Sequence, residues 1–191
     1  MNRIVTAVAV SALIWFTGAS PLQAQAGEIE GVTFKETLTV DGQNLQLKNT
    51  ALLKHLVVIK AYVGGLYLPA PVSPDKVLSA EIPKALVLHY FHRIPAADFA
   101  EATTAVIREN VSDAVFSELE PRIDQMNMLY RDVNPGDEYR AAYIPGVGTS
   151  LARNGETLGT VPGSNFARAY FSIWLGENPI SESFRDRLLG R

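Results

Sequence analysis

The sequence predicts an α+β fold in which a mostly antiparallel sheet carries helices packed on one face. Three observations carry that prediction. Asp41-Gly42 and Asn154-Gly155 are two-residue hairpin signals, because both positions tolerate positive φ and tight hairpins join only antiparallel strands. The apolar period changes from that of a strand to that of a helix after about residue 95. The order is strands, helices, hairpin strands and helices again, which suits α+β and argues against a doubly wound parallel fold.

Each element has its own signal. Residues 32–40 alternate and end at Asp41-Gly42, and 43–47 form the return strand. Residues 56–68 are a long apolar run with Val57, Val58, Ile59, Tyr62, Val63, Leu66 and Tyr67, read as a strand buried on both faces. Gly64-Gly65 inside it predicts a bulge or a close approach by another element. Pro69 and Pro71 end it, and Ser73-Pro74-Asp75 opens a short helix reaching about Ser79. Residues 84–92 read as a further strand. A helix follows from Pro95, because Phe99, Ala102, Thr103, Val106, Ile107, Val111, Ala114 and Val115 recur three or four residues apart. Residues 119–129 form a second helix, interrupted or begun at Pro121. Residues 137–144, 149–153 and 156–161 are strands, the last two joined by Asn154-Gly155. Ser164 caps a helix bearing Phe166, Ala169, Tyr170, Ile173 and Trp174, which Gly176 closes. Ser181 opens a last helix that ends at Gly190.

Composition narrows the chemistry. The 191 residues contain no Cys, which removes disulfide scaffolds, zinc-cysteine sites and thiol enzymes. An apolar content of 47% with 19% charged residues is that of a globular chain. A net charge of −3 disfavours a nucleic-acid partner. The first 26 residues read as a signal peptide: basic Met1-Asn2-Arg3, an apolar run from Ile4 to Thr17, helix-breaking Gly18 and Pro21, then Ala24-Gln25-Ala26. Spanning a membrane takes about 18 apolar residues or more, and this run is shorter. Cleavage after Ala26 leaves 165 of the 191 residues, 27–191, as one domain, and loss of Arg3 moves the charge from −3 to −4. The expected location is periplasmic or secreted, with no membrane span after cleavage. No protein partner is named by the sequence.

Two ordered segments resemble the bacterial branch of the chalcone isomerase-like family. The first is 53–68, in which a basic residue precedes K-x-Y-x-x-x-L-Y-L, here Lys60, Tyr62, Leu66, Tyr67 and Leu68. The second is 166–176, followed by Asn178-Pro179 and Leu188-Leu189-Gly190; Gly31-Val32 and Asp41-Gly42 fit as well. The resemblance covers 27–190 and implies an open-faced β-sandwich, a large antiparallel sheet with a helical layer and a smaller strand layer. In the family's enzymes a phenolate adds to an enone within one molecule, without a cofactor, while Arg and hydroxyl donors hold the oxyanion. Its non-enzymes resemble fatty-acid binders that meet the carboxylate with an Arg and a Tyr. Placed on this sequence, the catalytic Arg falls at Lys54, a Thr at Tyr62, the water-orienting Tyr at Phe99, an Asn at Val106 and a Ser/Thr at Ala167. Phe, Val and Ala have no donors, so the enzymes' water network has no counterpart at those positions. No catalytic residue is assigned.

The leading expectation is therefore an exported, non-catalytic binder of a small apolar ligand with an anionic, fatty-acid-like head. Lys54 and Tyr62 would hold the head, and Phe99, Val106, Ala167 and Tyr170 would line the wall. In one straight strand Lys54 and Tyr62 would lie about 26 Å apart, so they converge only if the chain bends or hairpins between them. Lys60 is a rival for the anion. A cofactor-independent isomerase acting on an unknown substrate and a periplasmic interaction protein with a vestigial pocket stay open as alternatives. No cofactor or metal is expected. His89 and His92, three apart on a strand, face opposite ways. Asp98 and Glu101 suit the start of a helix. Gly146-Val147-Gly148 lacks the third glycine of a dinucleotide site.

Overall fold

The computed structural model describes residues 27–55 and 59–191. The expected leader, residues 1–26, and Leu56, Val57 and Val58 of the apolar run lie outside the described residues. Among the described residues nine strands are formed: β1 Gly27–Ile29, β2 Val32–Phe34, β3 Thr37–Val40, β4 Gln43–His55, β5 Ile59–Leu68, β6 Lys84–Tyr90, β7 Glu138–Ile144, β8 Gly148–Arg153 and β9 Glu156–Val161. The helices are α1 Ala96–Asn110, α2 Asp113–Asn127, α3 Ser164–Leu175 and α4 Glu182–Leu189, with a 3-10 turn at Pro74–Lys76. Strands β3 to β9 form one curled antiparallel sheet in sequence order, packed against the four helices, and β1 with β2 is a separate hairpin. The expected α+β class is the observed one. Among the described residues no helix is long and apolar enough to cross a membrane.

Both hairpin dipeptides behave as their chemistry dictates. Asp41 and Gly42 have φ of 45° and 76°, and Asn154 and Gly155 have 50° and 84°, the left-handed pair that matches strand twist. Strand periodicity then divides the residues between two cores. Tyr62, Leu66, Leu86, Leu88, Tyr90, Tyr139, Ala141 and Leu151 face the helices. Val63, Tyr67, Ala85, Val87 and Ala142 face the other way, where Phe34, Val40 and Leu45 join them. Gly64-Gly65 is a close approach from both sides. A Cβ on Gly64 would lie 2.7 Å from Phe184 Cζ, and one on Gly65 would lie 2.6 Å from Phe34 Cδ1.

Several boundaries differ from the sequence expectation. Residues 32–40 are two strands, because the chain leaves extended pairing at Lys35-Glu36; the Tyr67 hydroxyl donates to the Lys35 carbonyl at 2.9 Å there. The return strand continues past Leu47 to His55 through a register shift at Leu47/Asn49. The long stripe 99–115 is not one helix. Val111 is extended (φ −134°, ψ 160°), and the Ser112 hydroxyl accepts from the Val115 amide, so α2 begins at Asp113 and carries Pro121 inside it. Helix α3 is capped by Gly163 at φ 105°, not by Ser164. Ser181 does cap α4, and Gly190 closes it in the left-handed conformation at φ 72°.

One buried charge stands out. Lys84 at the start of β6 is 1% exposed. Its ammonium donates to the Ser79 carbonyl at 3.0 Å and lies 4.4 Å from the Tyr143 ring centroid. Burial lowers its pKa to about 8.

A phenol-lined cavity between sheet and helices

A cavity of about 360 Å³ lies between the helix face of the sheet and the helical layer. Its floor comes from alternate residues of four strands: Tyr62 of β5, Leu88 and Tyr90 of β6, Tyr139 and Ala141 of β7, and Leu151 of β8. Phe99, Ala102 and Thr103 of α1 and Tyr170, Ile173 and Trp174 of α3 cover it, with Tyr130 from the segment after α2. The open side carries exposed Asp98 and Ile180, beside Ile94. Clefts of about 500, 510 and 540 Å³ elsewhere are surface features containing none of the sequence-predicted site residues.

Five of the seven tyrosines of the sequence meet here. Their rings pack edge-on or stacked. Tyr62 and Tyr90 centroids are 5.4 Å apart, Tyr90 and Phe99 5.4 Å, and Phe99 stacks on Tyr130 at 5.4 Å. The hydroxyls form a short chain, Thr103 to Tyr130 at 2.8 Å and Tyr130 to Tyr170 at 3.0 Å. The Trp174 indole donates to the Tyr62 hydroxyl at 3.1 Å. Tyr139 accepts from the Arg131 amide at 2.7 Å and donates to the Arg131 carbonyl at 2.8 Å.

The hydroxyl protons of the cavity outnumber the acceptors that meet them. The chain of three hydroxyls has three protons and two internal hydrogen bonds, so one proton is left over. Tyr62 accepts from Trp174, and its own proton meets no acceptor among the described residues. Tyr90, 2% exposed, makes no hydrogen bond through its hydroxyl among the described residues. The cavity is therefore rich in donors and poor in acceptors. Its phenols stay neutral, because burial pushes Tyr62, Tyr90 and Tyr170 well above the ordinary phenol range and Tyr130 up to about 12.

The six predicted site residues divide evenly. Tyr62, Phe99 and Tyr170 line the cavity. Lys54, Val106 and Ala167 do not. Strands β4 and β5 are antiparallel neighbours, so the chain does reverse between Lys54 and Tyr62. Tyr62 pairs with buried Leu53, however, and past a register shift Lys54 is exposed opposite Lys60. The Lys54–Tyr62 clamp is corrected accordingly: the ammonium is outside the wall, and the phenol is engaged by Trp174. Lys60, the rival, is exposed and paired with Glu30. Val106 lies three residues beyond Thr103 and Ala167 three before Tyr170, each about one turn away from the cavity; Ala167 is buried in the helical core.

Tyr90, Tyr130, Tyr139 and Thr103 were not among the expected binding residues. Tyr90 lies in the apolar run 84–92 and Thr103 on the α1 stripe, which were the available signals. Nothing local marks Tyr130. Among the described residues no group of three or more His, Asp or Glu could hold a metal ion.

The family model described as chalcone isomerase-like matches residues 26–190. No curated protein matches the sequence. Among solved structures, the chain is similar to the crystal structure of the Arabidopsis thaliana fatty-acid binding protein AtFAP1. The TM-score is 0.67 at 16% identity, over 83% of this chain and 92% of that one. At that identity the likeness is one of fold. With a family match over nearly its whole length, the chain belongs to the chalcone isomerase-like family.

Proposed function

We propose that this protein binds a small apolar ligand of the fatty-acyl kind in the phenol-lined cavity and does no chemistry on it. The observation that carries the reading is the cavity itself. It is apolar, largely covered and about 360 Å³ in volume, at the small end of ligand sites. AtFAP1, of similar fold, is a fatty-acid binding protein, which supports the ligand class. The head group is met by hydroxyls, since Lys54 is outside the wall.

The test is direct, because Trp174 lies in the wall. Adding fatty-acyl probes to the purified protein is expected to change Trp174 fluorescence saturably, and the Trp174→Phe variant provides the optical control. Absence of any change with acids and esters, together with no lipid co-purifying in native mass spectrometry, overturns the reading.

A cofactor-independent isomerase is the second reading. The donor-rich wall favours it, because neutral hydroxyl donors are what would hold a developing oxyanion. Turnover of an enone panel, lost in Tyr90→Phe, would establish it.

Export belongs to the same proposal. The basic-apolar-small pattern of residues 1–26 supports a periplasmic or secreted protein of the family's bacterial exported branch. Intact-mass analysis should find an N-terminus at Gly27; a retained Met1 overturns export by this route.

A further inference from the structure

This inference rests on the cavity being the binding site and specifies the charge of what enters it. We propose that the cavity takes its ligand as a neutral acyl compound, an ester or a protonated acid, and rejects the ionised carboxylate. The carbonyl oxygen of the ligand accepts from the hydroxyls of Tyr90 and Tyr62.

The charge pattern points this way. Among the described residues the wall contains no Lys, Arg or His, and the charged member among them is Asp98 on the open side. Helix α1, which carries Asp98, has its N-terminal positive end answered already. Asp98 lies in its first turn, and Asp132 accepts from the Ala96 amide at 3.0 Å. The nearby cations are engaged elsewhere. Arg93 pairs with Asp132 at 2.6 Å, and Arg131 donates to the carbonyls of Met128, Leu129 and Tyr130. A carboxylate entering this site would pass a like charge and be buried with no counter-ion, which costs more than neutral donors return.

The donors point the same way. Tyr90 and Tyr62 have adjacent rings and hydroxyl protons that meet no acceptor among the described residues. A carbonyl oxygen has two lone pairs and no proton, so it completes both phenols without adding a donor. The groups that face the ligand are the phenols of Tyr62 on β5, Tyr90 on β6, Tyr139 on β7, Tyr130 after α2 and Tyr170 on α3, with Asp98 on α1. None of the phenols changes charge near neutral pH, so the titration that governs binding is the ligand's own.

The experiment compares methyl decanoate, decanoic acid and decane on the purified protein from pH 4.5 to 8.5 by Trp174 fluorescence. The ester is expected to bind with the same affinity throughout. The acid is expected to approach it near the ordinary carboxyl range, about pH 4–5. Above that range the acid should weaken about tenfold per pH unit, as its neutral fraction falls. The slope should persist in Asp98→Asn, which removes the wall carboxylate. Tyr90→Phe, whose lost hydroxyl has no partner among the described residues, should cut the preference for ester over decane about tenfold. Decanoate binding at pH 8 as tightly as the ester overturns the inference and leaves the binding reading standing. An unchanged ester preference in Tyr90→Phe overturns the role given to the phenol. Failure of acid and ester alike at every pH overturns the binding reading, and the inference with it.

Discussion

Lys84 shows how one residue sets a pH dependence for the whole chain. Its ammonium is buried against the Tyr143 ring and gives up its proton near pH 8, against an ordinary 10.5. Between those values the unfolded chain binds more protons, so stability rises with pH across that window. Above about pH 10 the trend reverses, because unfolded phenols ionise while buried Tyr62, Tyr90 and Tyr170 keep their protons. Urea unfolding at pH 7.5 to 10 should therefore show a rising limb in the wild type that Lys84→Met lacks; an identical limb in both proteins excludes Lys84 as its source. The sequence places Lys84 at the start of an apolar strand without indicating its burial. That burial depends on Tyr143 and Phe171 arriving from β7 and α3. The site residues follow the same logic. Tyr62 was legible because it sits at strand parity in an apolar run. Lys54 was misplaced because its surroundings depend on a register shift between β4 and β5.

Element boundaries depend on local chemistry that apolar periodicity overlooks. The stripe from Phe99 to Val115 keeps helical spacing through Val111, yet the chain turns there, and the Ser112 hydroxyl starts a second helix by accepting from the Val115 amide at 3.4 Å. Ser112→Ala should lower stability by about 1 kcal/mol, with most of it restored by Ser112→Asp, as thermal or urea unfolding would measure. Equal stability of the three proteins would mean that packing alone, including Arg108 stacked 3.8 Å over the Phe116 ring, sets the corner. Asp41-Gly42 and Asn154-Gly155 were legible because a two-residue turn is a local property, whereas Glu30-Gly31, with φ of 53° and 76° between β1 and β2, lacks the Asn or Asp that marks such a turn. The continuation of β4 past Leu47 was not, because Lys48-Asn49-Thr50 looks like loop and is held as strand by Leu66 and Gly65 of β5.

At the scale of the molecule, sheet and helices enclose a space that no single segment contains. Its wall draws on four strands, two helices and the segments beside them, so its donor-rich character appears only when the fold is closed. Filling it should separate binding from folding. Ala102→Leu, projecting from α1 into the cavity, should abolish the rise in Tm that a saturating acyl ligand produces. At one hundred times Kd that rise corresponds to about 2.7 kcal/mol of stabilisation. The ligand-free Tm should stay unchanged or rise. A full ligand response in Ala102→Leu would place the site elsewhere. Gly64 and Gly65 have a consequence of a different kind. Phe184 of α4 and Phe34 of β2 press on consecutive residues of β5 from opposite faces. The middle of the sheet is thus a clasp whose two jaws come from elements on either side of it in the sequence. Removing α4 takes one jaw away and leaves Gly64 facing the space that the Phe184 ring fills.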